Sequence, residues 1–199
     1  MLHDMTPRDL EFLYEVGSLR NVPRGWRQHL GVDCENDLEH TMRVVWIALV
    51  IARRMGIKSE EKIIKMALTH DLAESRTADH SYVQKLYVDS NEAKAIHDMF
   101  DKTVFSDMEA LVKEYEEREC IEAKIVKDAD NLDIDLELKE LEERGHQGPE
   151  KWKKQRRMIR EEKLYTDAAK QLWDEIQTSD PASWHLNNNK WLHLPNAGK

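Results

Sequence analysis

The sequence predicts an all-α, single-domain helical bundle, and three observations carry that expectation. From Ile57 to Arg144 there is neither glycine nor proline, the residues that most often punctuate turns and end strands. The same stretch is dense in Glu, Lys, Ala, Leu, Met and Ile, whose side chains lose little rotamer freedom in a helix. Apolar residues recur at helical spacing between recognisable caps and stops. With 199 residues, 40% of them hydrophobic, the chain is long enough to bury one real core.

The first helix opens at Thr6-Pro7, a hydroxyl cap followed by proline at the first helical position, with Asp9 in the first turn and Leu10, Leu13, Tyr14 and Gly17 on one face. A loop from Asn21 to Asn36 holds Pro23, Gly25 and Gly31. A helix from about Asp37 to Met55 then stops at Gly56, a suitable C′ residue. Leu38, Met42, Val45 and Leu49 form one apolar stripe on it, and Val44, Ile47, Ala48 and Ile51 a second, so this helix is expected to be central and buried on most sides.

Ser59 is a cap for a third helix carrying Ile63, Ile64, Ala67 and Leu68 and ending near Glu74. Ser90 and Ser106 are further caps, the latter with Glu109 completing a capping box. A long helix from about Glu119 to Arg144, stopped by Gly145, carries Ile121, Ile125, Leu132 and Leu136. Pro149 opens another, and a last one covers Thr166 to Gln177. The segment after Ser179 has no period, so a domain over 1–178 is expected, with a surface extension over 179–199.

The net charge of −9 supplies no global attraction to nucleic acid or to anionic membranes. The basic run Lys151 to Arg160 is flanked by Glu150, Glu161 and Glu162 and reads as the solvated side of a helix. Cys34 and Cys120 lie far apart and suit a reducing cytosol. The N-terminal residues lack a basic segment followed by an apolar one, and no run approaches the roughly 20 apolar residues that span a bilayer. A cytoplasmic protein is the expectation.

Three His-Asp dipeptides occur, at His3-Asp4, His70-Asp71 and His97-Asp98, and context separates them. His70-Asp71 ends an apolar helix: Ile63, Ala67 and His70 share one face, and Ile64, Leu68 and Asp71 the neighbouring one. Both polar side chains are aimed where the helix buries itself, and an unpaired buried carboxylate neutralises or finds a cation, for which a metal is a natural partner. His40, one turn before Val44, and Asp130, between Val126 and Ile134, occupy similarly apolar flanks of their helices. Three helices presenting imidazole and carboxylate from apolar faces can hold one divalent ion in a bundle core.

The ordered segments ending at His40, running from His70 to Asp79 and surrounding Asp130 resemble the H…HD…D signature of HD-domain metal-dependent phosphohydrolases. More closely they resemble the branch of 5′-deoxynucleotidases, through Val22-Pro23-Arg24-Gly25-Trp26, Glu35 with Glu39-His40, and His70-Asp71 with Glu74 and Asp79. The likeness runs from about Leu10 to about Leu138. Asn36-Asp37 stands where that branch has Ser-Val, Ala78 stands in place of a Gly, and the Arg-to-Trp spacing is one residue shorter.

The resemblance implies His40, His70, Asp71 and Asp130 as ligands of one Mn, Co, Fe, Zn or Mg ion, and Glu74 and Asp79 as catalytic acids or bases. It implies Arg24 on the substrate phosphate and Trp26 on the nucleoside, with Glu35 and Glu39 orienting His40. His80 and His97 do not repeat the apolar placement of the ligands, so one ion is expected. The implied reaction is hydrolysis of (deoxy)nucleoside 5′-monophosphates by a homodimer; Trp152 and Trp173 on the later helices are explained equally well as an apolar contact and as core packing. Action on another phosphate ester or on a cyclic or polyphosphorylated nucleotide, and non-catalytic nucleotide binding, are the alternatives.

Overall fold

The computed structural model describes residues 7–192. Among them the chain is all α: α1 (Pro7–Ser18), α2 (Arg27–Leu30), α3 (Asp37–Arg54), α4 (Glu60–Thr69), α5 (Glu74–Thr77), α6 (Glu92–Phe100), α7 (Met108–Glu117), α8 (Ile121–Glu143), α9 (Gly148–Glu162), α10 (Asp167–Thr178) and α11 (Ser183–Leu186). Thr6 and the His3-Asp4 dipeptide lie outside the described residues.

The long helices begin and end for local reasons. Asn36 caps α3 by accepting from the amides of Leu38 and Glu39, while Glu39 accepts from the Asn36 amide in return. Gly56 (φ 71°) and Gly145 (φ 86°) take the left-handed conformation just beyond α3 and α8. α8 is the central post, packed against α3, α4, α7, α9 and α10. Val44, Ala48, Ile51, Ile63, Met66, Ala67, Ile125, Val126, Ala129 and Leu132 fill the space between α3, α4 and α8. A second cluster around Leu19, Ile96, Met99 and Phe100 closes one side, and a third, with Trp26, Leu30, Leu138 and Leu141, seats the loop before α3 on α8.

Buried acids on α8 tie the later helices to it. Asp128 accepts from the Tyr165 and Thr166 amides and from the Thr166 hydroxyl, anchoring the start of α10. Asp135 receives the Arg156 fork at 3.1 and 2.6 Å, anchoring α9. A buried donor or acceptor without such a partner costs about 1–3 kcal/mol, which explains why these acids come paired.

Several expectations are corrected. On α1, Leu10, Leu13 and Tyr14 face solvent, whereas Phe12 and Asp9 are buried, Asp9 accepting from the Val104 amide at 2.8 Å. Met42, Trp46 and Val50 leave one side of α3 open, and Leu68 on α4 is likewise exposed. α4 ends at Thr69 rather than near Glu74, giving way to turns before α5. Ser59 precedes α4 without capping it, because its hydroxyl donates to Glu122 instead. Asn91 rather than Ser90 caps α6, and Asp107 rather than Ser106 precedes α7, with no capping box. The extension over 179–199 includes the short helix α11. No helix among the described residues is long and apolar enough to cross a membrane.

Candidate active site

His40 comes from the first turn of α3, His70 and Asp71 from the end of α4, and Asp130 from the middle of α8. One ligand atom from each lies within 4.8 Å of all the others. His40 Nε2 is 3.3 Å from Asp71 Oδ2 and 3.3 Å from Asp130 Oδ1, and His70 Nε2 is 3.0 Å from Asp71 Oδ2.

The outer nitrogens fix how the rings are used. His40 Nδ1 lies 2.6 Å from Asp133 Oδ2, and His70 Nδ1 lies 2.8 Å from the Ala67 carbonyl. Each acceptor requires a proton on Nδ1, which turns the Nε2 lone pairs inward, 3.3 Å from one another. Two lone pairs facing two carboxylate oxygens at that distance repel unless a positive charge sits among them. Two imidazoles with two carboxylates form a donor set that suits a borderline divalent ion, so the residues fit a metal.

Without a metal, a proton on His40 supplies that positive charge. Burial opposes ionisation of Asp71 and Asp130, but His70 and His40 hold Asp71 well below the usual carboxylate range, and Lys127 and His40 do the same for Asp130. Burial and Arg24 push His40 down, yet Asp130, Asp133 and Asp71 hold its imidazolium well above the ordinary value. Asp133 is ionised despite burial: the hydrogen bond from His40, with Arg43 nearby, holds it at about 2. Arg43 pairs with Asp133 and reaches Glu35 at 2.6 Å, Glu137 at 3.0 Å and Glu140 at 3.2 Å.

A second group of acids adjoins the first. Arg24, 6% exposed, places Nη1 3.2 Å from Asp79, 3.3 Å from Asp37, 3.7 Å from Asp71 and 4.0 Å from Glu74. Asp79 also accepts from the Gly25 amide at 2.9 Å. Burial, followed by the charges of Asp71, Asp79 and Asp37, pushes Glu74 up to about 11, so without a metal it holds a proton at neutral pH. Arg24, Trp26, Glu74 and Asp79 line, with Asp71 and Asp130, a cavity of about 290 Å³. Arg24 Nε, Trp26 Nε1 and Glu74 Oε2 are buried there without hydrogen-bond partners in the protein, polar groups that water or a ligand would satisfy.

The structure thus gathers His40, His70, Asp71 and Asp130 at one point and sets Arg24, Trp26, Glu74 and Asp79 around the adjoining cavity. Glu35 reaches the His40 ring, 3.8 Å from Nδ1, but Glu39 does not orient it, being exposed and spent on the α3 cap. His97 pairs with Glu109 at the surface, and His80 contacts Ser90. Sequence reasoning missed Asp133, Arg43 and Lys127. The available signal was position: Arg43 follows His40 by three residues, and Lys127 and Asp133 flank Asp130 by three, all within one helical turn.

Residues 16–173 match the HD domain family. The 5′-deoxynucleotidase HDDC2 of Danio rerio is 32% identical over 141 residues, covering 67% of this chain and 70% of the relative. The Dictyostelium discoideum protein of the same name is 32% identical over 152 residues, covering 69% and 80%. Among solved structures, a conserved hypothetical protein from Pyrococcus furiosus superposes with a TM-score of 0.70 at 27% identity, over 84% of this chain and 98% of that one.

Proposed function

Because the chain belongs to the HD domain family, we propose that it is a metal-dependent phosphomonoesterase that hydrolyses nucleoside 5′-monophosphates, deoxy forms by preference, to nucleoside and phosphate. The observation that carries this reading is the convergence of two inward-facing imidazole nitrogens and two ionised carboxylates beside a cavity that also holds Arg24 and Glu74. The names of the Danio and Dictyostelium relatives support the substrate class.

His40, His70, Asp71 and Asp130 would hold one divalent ion. When bound, such an ion supplies positive charge against phosphoryl oxygens and makes water more acidic. Arg24 keeps its guanidinium charged and oriented through Asp37 and Asp79, with Glu35 4.0 Å from its Nε, and supplies a cation for the substrate phosphate. Glu74 is the proton-carrying group, suited to protonate the leaving 5′ oxygen. Asp79, bound to Arg24 and the Gly25 amide, keeps that loop against the cavity.

The protein acts in the cytoplasm, a reading supported by its free Cys34 and Cys120. It acts as a homodimer; Trp173 is buried in the core and Trp152 packs on Trp26, so the exposed Met42, Trp46 and Val50 of α3 replace them as contact candidates.

Phosphate release from nucleoside 5′-mono-, di- and triphosphates and cyclic phosphates, with metal restored after chelation, tests the reading. Release from deoxynucleoside 5′-monophosphates is expected to dominate. Preferential turnover of cyclic or polyphosphorylated nucleotides would replace the substrate class, and metal-dependent nucleotide binding without release would indicate a non-catalytic protein.

A further inference from the structure

The cavity beside the ligand set has an aromatic wall that the reaction above leaves unused. Trp152 of α9 is half-buried and lines the cavity with Tyr82 and Trp26. Trp26, 6% exposed, packs behind it with ring centroids 6.0 Å apart at 55°. Tyr82, 51% exposed, meets Trp152 edge-on at 6.2 Å and 83°. The ring therefore packs on a buried indole and a half-exposed phenol and lines the cavity.

Its support is rigid. One turn along α9, Arg156 forks onto Asp135 and donates to the Asn131 carbonyl at 2.6 Å, which pins this part of α9 to α8. Ile134, which packs in the same cluster as Trp152, lies four residues beyond Asp130, about 6 Å along the helix. The aromatic wall and the acidic residues Asp71 and Asp130 line the same cavity of about 290 Å³. A phosphate held by Arg24 and by an ion at His40, His70, Asp71 and Asp130 would carry its sugar into the cavity and bring a flat ring to Trp152.

We propose that Trp152 is the face on which the nucleobase packs, with Trp26 as its buried backing, an inference that rests on the nucleotidase reading. Aromatic stacking tolerates every base, because each has a π face, and gains from a platform already in place. The role assigned to Trp26 in the sequence, direct packing on the nucleoside, thereby passes chiefly to Trp152.

The test compares 2′-deoxyadenosine 5′-monophosphate with 2-deoxyribose 5-phosphate, which keeps the phosphate and sugar but has no base. The ratio of their kcat/KM values is measured in metal-replete wild type, Trp152→Ala and Trp152→Phe. Trp152→Ala is expected to lower the ratio roughly 5- to 150-fold, mostly through the nucleotide KM, and Trp152→Phe to recover most of it. A ratio unchanged in Trp152→Ala, with both substrates slowed alike, would overturn the inference and leave the nucleotidase reading standing. Wild-type failure to release phosphate from the nucleotide would overturn that reading and this inference together.

Discussion

His40 Nδ1 and Asp133 Oδ2 lie 2.6 Å apart, both residues fully buried, so the carboxylate sets which nitrogen of the ring faces the ligand cluster. Asp133→Asn is expected to weaken metal affinity about 10- to 100-fold, the usual cost of losing a carboxylate behind a metal-bound histidine. Isothermal titration of the apo-protein with Mn²⁺ or Co²⁺ checks it. Unchanged affinity in a folded variant would reduce Asp133 to a packing role.

The ligand set itself is tested by removal. His70→Ala and Asp130→Ala are each expected to lose bound metal, because one of four protein ligands goes and the open position is left to water. Elemental analysis after dialysis gives the stoichiometry, expected at one ion per wild-type chain. Full occupancy in both variants would rule the assignment out.

Glu74→Gln keeps the side chain's shape and removes the ionisable group. Turnover is expected to fall about 10²- to 10⁴-fold with metal content retained. A wild-type rate in the metal-replete variant would show that the proton moves through another group.

Gly25 is irreplaceable for a steric reason. A Cβ there would lie 2.5 Å from Ser81 N, 2.7 Å from Asp79 O and 2.9 Å from His80 C, all backbone atoms. Gly25→Ala is expected to push the two segments apart, costing about 1–3 kcal/mol of stability and loosening Asp79 from Arg24. Denaturant melts would show the first effect and a raised KM the second; a wild-type KM would separate this contact from substrate binding.

In the metal-free protein, protons do the work of the cation. Burial, then neighbouring acids, raises Glu74 to about 11 and Glu35 to about 9; burial also raises Asp37 to about 6, with Arg24 opposing it. Against burial, its carboxylate partners hold His40 well above 6.5. Groups raised on folding stabilise the native state fully below their unfolded values and lose that contribution as pH climbs through the folded ones. The melting temperature of chelated protein is therefore expected to fall between pH 5 and pH 9, and added divalent metal to stabilise it more at the alkaline end. A melting temperature that rises across this range would contradict the arrangement.

How much of this was legible in the sequence follows from where each signal lives. Gly56 and Gly145, as helix stops, and the apolar placement of His40, His70 and Asp130 are local patterns, and α3, α8 and the clustering of His40, His70, Asp71 and Asp130 follow from them. The face of α1 was misjudged because Phe12 and Asp9 are buried by the distant segment around Val104, which no local period reveals. The acids of α8 were equally opaque. Asp128, Asp133, Asp135 and Glu137 carry no local sign of burial until Thr166, His40, Arg156 and Arg43 arrive from elsewhere in the chain.

His40 and Asp133 are 93 residues apart in the chain, and His40 and His70 are separated by 30. Closing loops of that length carries an entropic cost that the unfolded polypeptide cannot recover from one weak contact, so an unfolded chain is a poor chelator. The ion would then act as a latch that engages only after α3, α4 and α8 have docked, and that must be released before they part. Metal-loaded protein should consequently unfold more slowly and resist proteolysis longer than its apo form, with folding hardly accelerated.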